Sequence, residues 1–232
     1  MGRLVRTLTD SHLPPRGPIA RDNTKFDYWT EFFASRGYQV LQMNFRGSYG
    51  YGHDFMSQGL LNWGKTMQDD IVDGLKWLKF QGLDKDDQAC IVGASYGGYA
   101  ALMAAARDDG HFKCAVSFAG VTDLNILVSN QMKFIGGSAV RKLLGTSRKE
   151  RGLYSPVKLA SRIKIPVLMV HGTEDRTVTI DHGRKMNRAL KRQKPKNYRY
   201  VELEDGDHHL SLQKNRILLF EEMEEFLATY LD

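Results

Sequence analysis

The chain has 232 residues, of which 42% are hydrophobic and 26% charged, with a formal net charge of +6. That balance belongs to a globular chain long enough to bury a core and excludes a disordered or fibrous one. No apolar run approaches the roughly 18 residues needed to span a bilayer, and Met1–Pro15 carries neither the apolar stretch nor the cleavage site of a signal peptide, so no membrane partner is expected.

Leu4–Leu8 is a candidate first strand. Asp27–Arg36 has the spacing of an amphipathic helix, with Tyr28, Phe32 and Phe33 inward and Gly37 closing it. Tyr38–Asn44 reads as a strand, and residues 45–64, rich in glycine and aromatics, as a long ordered loop. Met67–Phe80 places Ile71, Leu75 and Leu78 on one helical face. Gln88–Gly93 is a short buried strand, followed by an alanine-rich helix over Gly97–Arg107 and a strand over Phe112–Phe118. Residues 122–160 show no clean period and are expected to form a helical excursion over the sheet. The chain ends with a strand at Ile165–His171, a helix at Thr179–Arg192, a strand at Tyr198–Leu203 and a helix at Ser211–Tyr230. Strands alternating with helices predict one α/β domain over residues 1–232, a mostly parallel sheet covered on both faces.

The positive excess lies largely between Arg184 and Arg199, where Met186, Ala189 and Leu190 recur among the charges. That is an amphipathic helix with a solvated basic face; it lacks the interleaved aromatics of a nucleic-acid groove, so no nucleic-acid partner is expected. The two cysteines, Cys90 and Cys114, each sit in an apolar strand and are expected as buried free thiols, which implies a reducing, cytoplasmic setting. No His, Cys or Asp cluster has zinc-ligand spacing, so neither metal nor cofactor is expected.

The chemistry centres on Gly93-Ala94-Ser95-Tyr96-Gly97. A Gly-x-Ser-x-Gly run acquires meaning from its context, a strand running in and a helix running out, and both flanks are predicted here. A serine on such a bend has a strained backbone, so the positions two residues away must lack bulk. Its hydroxyl then sits at the positive end of a helix. The plainer reading makes Ser95 a helix N-cap; the flanks favour a nucleophile. Such a nucleophile needs a base, and the base an acid, each on a loop after a later strand. Gly172-Thr173-Glu174-Asp175-Arg176-Thr177-Val178 follows one strand and Glu204-Asp205-Gly206-Asp207-His208-His209-Leu210 the next. From the residues alone, Glu174 competes with Asp175 and His209 with His208. His53, His171 and His182 are read as packed or solvated imidazoles.

Asn44-Phe45-Arg46-Gly47-Ser48-Tyr49-Gly50-Tyr51-Gly52 resembles a segment of the prolyl oligopeptidase family of serine peptidases. So do Trp63-Gly64 with Asp69-Asp70, Gly93–Tyr99, Ala119-Gly120-Val121-Thr122-Asp123 and His171-Gly172-Thr173-Glu174-Asp175, in the family's order from about residue 17 onward. The resemblance is nearest to the acylaminoacyl-peptidase and dipeptidyl-peptidase branch. It implies an α/β-hydrolase fold with Ser95 as nucleophile, Asp175 as acid and His208 as base. It also implies backbone oxyanion donors at Tyr96 and at Gly17, where Pro15-Arg16-Gly17-Pro18 stands in place of the family's His-Gly-Gly-Pro turn.

Neither the family's amino-terminal β-propeller nor the first strands of its hydrolase sheet is recognisable, and exposed sheet edges leave room for a homo-oligomer. Three readings follow: a peptidase acting on short peptides, a carboxylesterase acting on small acyl esters, and a catalytically impaired binding protein, the last motivated by the altered turn.

Overall fold

A computed structural model describes residues 3–8, 21–22, 25–83, 89–107, 110–193 and 197–231. Six strands form one sheet in the order β2-β1-β3-β4-β5-β6, every neighbouring pair parallel. They are β1 (Arg3–Leu8), β2 (Tyr38–Leu41), β3 (Ala89–Ala94), β4 (Cys114–Phe118), β5 (Val167–Gly172) and β6 (Tyr198–Leu203). Strands β3, β4 and β5 lie mid-sheet and are apolar and buried along nearly their whole length, as a parallel sheet covered on both faces requires.

Alternate residues of each central strand feed two cores. Ala89, Ile91 and Ala115 face one core with α3 (Thr66–Phe80), α4 (Tyr96–Arg107) and α8 (Asp181–Gln193). Cys90, Val92 and Val116 face the other with α1 (Tyr28–Ser35) and α9 (Gln213–Leu231). This is the predicted class, an α/β-hydrolase-type parallel sheet with helices on both faces. The reversal from β1 outward to β2 and back to β3 makes a crevice at the carboxyl ends of the strands, the usual place for a ligand in such sheets.

Most predicted elements fall within a few residues of the observed ones, and the departures have local causes. Helix α1 buries Trp29 and Phe33 and leaves Tyr28 exposed, because Asp27 caps the helix through the Trp29 amide and so sets its rotation. Within the predicted loop, His53–Ser57 forms a short helix, α2. The glycine-rich segment before it is pinned to α3, where the Asp70 carboxylate accepts from the Arg46 amide and Nε at 2.8 Å each. Asp69 pairs with Arg107 of α4 at 2.7 Å. Residues 122–160 carry three short α-helices, α5 (Leu124–Gln131), α6 (Gly137–Leu144) and α7 (Arg148–Leu153), and a 3-10 turn at Pro156–Lys158.

The expectation of free thiols is corrected. Cys90 and Cys114 are disulfide-bonded, with Cα atoms 4.7 Å apart. Residue counting missed the pairing because only the β3–β4 register sets Cys90 directly opposite Cys114. The inference to a reducing, cytoplasmic compartment rested on free thiols and loses that support. Among the described residues no helix is long and apolar enough to cross a membrane.

Candidate active site

Strand β3 runs into the Gly93–Gly97 bend and α4 runs out of it. Ser95 sits at the tip with φ +56, a left-handed conformation uncommon for a side-chain-bearing residue. Two backbone bonds hold it there: its amide donates to Phe118 O at 2.9 Å, and its carbonyl accepts from Tyr99 N at 3.0 Å. A side chain at Gly93 would collide with the Gly97 backbone, which is the physical reason for glycine on the entering arm. Tyr96 opens α4, so its amide belongs to the turn whose N–H groups have no acceptor inside the helix.

The Asp175 and His208 loops leave the carboxyl ends of β5 and β6 and are tied to each other. Thr173 N donates to Leu203 O at 3.0 Å, Glu174 N to Gly206 O at 2.9 Å, and Asp205 N to Thr173 Oγ1 at 2.9 Å. Gly172 and Gly206 pass so closely that a side chain at Gly172 would overlap the Gly206 backbone. This contact delivers both loops to one place above the sheet.

The three predicted side chains converge there. His208 Nε2 lies 3.0 Å from Ser95 Oγ, and His208 Nδ1 lies 2.7 Å from Asp175 Oδ2. Asp175 Oδ1 accepts from the Thr177 and Val178 amides at 2.8 Å each, which leaves Oδ2 aimed at the ring. The Asp175 side chain is fully buried and that of His208 is 7% exposed, so the chain of bonds is shielded from water. The rival residues are elsewhere: Glu174 and His209 are exposed, and the His53 side chain is 83% exposed. The altered turn with Gly17, the second expected oxyanion donor, lies outside the described residues. Among the described residues no group of three His, Cys, Asp or Glu side chains could hold a metal ion.

Two imidazoles that the sequence reads as packed or solvated form a layer behind Asp175. His171 Nε2 donates to Val178 O at 2.7 Å and lies 3.6 Å from Asp175 Oδ2; burial holds its pKa below the ordinary value. His182 Nδ1 accepts from Thr122 N at 3.0 Å and Asp123 N at 3.3 Å, pinning the start of α5 to α8. Burial, reinforced by the nearby His171, lowers the His182 pKa to about 3. The unfolded chain therefore binds a proton near pH 6.5 that the folded chain refuses until about pH 3. The stability this contributes is complete above pH 6.5 and is lost as pH falls toward 3, by up to about 1.4 kcal/mol per pH unit. Denaturant titrations from pH 7 to 4 should show a shallower acid limb for His182→Asn, which keeps an acceptor but does not titrate; equal slopes would refute the assignment.

A parallel sheet with a serine on the bend from β3 into α4, and with Asp and His on the loops after β5 and β6, defines a hydrolase-type domain. The family is defined by similarity as well. A prolyl oligopeptidase family model matches residues 24–232, and the chain belongs to that family. It is 34% identical over 224 residues to dipeptidyl aminopeptidase BIII of Pseudoxanthomonas mexicana, covering 93% of this chain and 32% of the relative. Dipeptidyl peptidase family member 6 of Caenorhabditis elegans is 31% identical over 68% of this chain and 23% of its own length. Among solved structures, a puromycin-hydrolyzing peptidase of Mycobacterium tuberculosis superposes with a TM-score of 0.89 at 26% identity, over 100% of this chain and 34% of that one. An acylaminoacyl peptidase bound to Z-Gly-Gly-Phe-chloromethyl ketone gives 0.84 at 25% identity, over 99% of this chain and 37% of that one. The chain thus spans between 23% and 37% of the length of these relatives.

Proposed function

We propose that this domain is the catalytic part of a serine peptidase that cleaves short peptides through an acyl-enzyme. The observation that carries the reading is the continuous Ser95–His208–Asp175 array, with links of 3.0 and 2.7 Å, in a chain of this family. Ser95 Oγ attacks the scissile carbonyl as His208 Nε2 takes its proton, and Asp175 holds the ring in the Nδ1–H tautomer and stabilises the imidazolium. The Tyr96 amide, with that of Gly17, donates to the oxyanion. His208 then protonates the leaving amine, and water, deprotonated in turn by His208, releases the acid and restores Ser95. The names of the relatives point to dipeptides or acylated amino acids as the units removed.

The same array would also turn over an ester, so substrate class is a separate measurement. A fluorophosphonate should label Ser95 stoichiometrically; no labelling would leave a binding-protein role. Dipeptidyl and acyl-aminoacyl anilides should both be tried beside p-nitrophenyl acetate and butyrate. Anilide cleavage is expected, and ester turnover without it would make the domain a carboxylesterase.

A further inference from the structure

The Asp175 carboxylate does not stand on its own turn alone. The chain leaves β5, carries Asp175 above the sheet and returns at Val178, and one buried side chain fastens the two ends of that excursion. His171, 2% exposed at the end of β5, donates from Nε2 to Val178 O at 2.7 Å. Val178, wholly buried, is bonded through both of its backbone groups: its carbonyl to His171 and its amide to Asp175 Oδ1 at 2.8 Å. The Thr177 amide gives Oδ1 its second bond, also at 2.8 Å. The place of Oδ2, which meets His208 Nδ1 at 2.7 Å, therefore depends on where Val178 lies, and Val178 is tied to His171.

The ring is itself confined. A side chain at Gly183 would stand 3.1 Å from His171 Cβ and Nδ1, so α8 passes against the ring. A carbonyl only accepts, so the proton in the 2.7 Å bond belongs to His171 Nε2 and fixes the tautomer. The charged and titratable groups acting on the ring are Asp175 and His208 on their loops, Glu202 on β6 and His182 on α8. Burial outweighs them and holds the ring below its ordinary pKa, hence neutral at neutral pH. A neutral donor can hold the turn without placing a second cation beside Asp175 Oδ2, 3.6 Å away, where it would compete with the imidazolium of His208.

We infer that His171 is a positioning residue for the reaction: by holding Val178 it sets the Asp175 carboxylate, and through it the His208 ring, where proton transfer from Ser95 needs them. This role rests on the serine-hydrolase reading above. Two magnitudes bracket its size. Loss of the acid's function in a Ser-His-Asp enzyme costs about 10⁴-fold. Displacing a catalytic group by about 1 Å costs about 100-fold. A residue that acts only through the acid belongs at or below the second. A ring that merely fills space would leave the chemical step untouched.

The test pairs His171→Met, which fills the space without a donor, with His171→Gln, whose amide places a donor where Nε2 stood. The full chain is inactivated at neutral pH with a fluorophosphonate: Ser95 Oγ bonds to phosphorus, fluoride leaves and His208 takes the hydroxyl proton. Rates are taken on the fraction of sites that become labelled, so misfolded protein does not count. In His171→Met, kinact should fall about 10- to 100-fold while KI stays within about twofold of wild type. His171→Gln should recover kinact to within about threefold of wild type. Should His171→Met fail to fold, His171→Asn, whose amide is one bond too short for Val178 O, replaces it with the same expectation. An unchanged kinact in the donor-free variant, a loss that His171→Gln does not restore, or an effect confined to KI, to the labelled fraction or to the melting temperature would overturn the role. No labelling of the wild type is a different failure, because it removes the serine-hydrolase reading and this role with it.

Discussion

Replacing Ser95 with alanine should lower kcat/KM on any cleaved anilide by about 10⁵- to 10⁶-fold and leave thermal unfolding nearly unchanged. Both halves of that expectation come from the bend. Among the described residues the Ser95 side chain has one hydrogen-bond partner, His208 Nε2 at 3.0 Å, so the hydroxyl contributes little to folding. The strained φ of +56 is held by backbone bonds to Phe118 and Tyr99, which alanine retains, and by close approach of the Gly93 and Gly97 backbones. Without the hydroxyl no acyl-enzyme forms, and only binding and oxyanion stabilisation remain. Active-site titration with the fluorophosphonate, alongside steady-state rates, checks this directly. Residual activity within a hundredfold of wild type, on protein shown to be free of contaminating hydrolase, would place the nucleophile elsewhere.

How much of this was legible in sequence depended on whether the information was local. Alternating strands and helices, and the glycine–serine bend, are fixed by near neighbours in the chain, so periodicity and turn chemistry reached them. The chain order of Ser95, Asp175 and His208 was legible for the same reason, because each loop follows its own strand. Tertiary pairing was not. Cys90 and Cys114 look like two separate buried thiols until the β3–β4 register is known. Tyr28 and Trp29 are adjacent and both aromatic, and the Asp27 cap decides which faces the core. For His171 and His182 the sequence leaves packed and solvated imidazoles open; both are buried, because their partners at Val178, Thr122 and Asp123 depend on how β5 and α8 meet.

The choice between His208 and His209 was also beyond residue-level reading, and it yields the second large expectation. His208→Ala should cost about 10⁶-fold in kcat, comparable to losing the nucleophile, because members of such a unit fail together. His209→Ala should stay within threefold of wild type. The difference arises from the loop between β6 and α9. Asp207 accepts from the Ser211 amide at 2.9 Å, and Asp205 and Leu210 hold positive φ of +55 and +56, which turns the chain so that His208 faces inward. His209 is left exposed, its ring perpendicular to that of His208 at a centroid distance of 5.5 Å. A further signature separates loss of a base from general damage. Without the ring, the buried Asp175 Oδ2 loses its 2.7 Å partner and keeps, among the described residues, only His171 at 3.6 Å, so the variant should be destabilised by about 1–3 kcal/mol. Added imidazole should restore part of the activity of His208→Ala and none of that lost by Ser95→Ala. Matching losses in the two histidine variants, or rescue of both His208→Ala and Ser95→Ala by imidazole, would reassign the base.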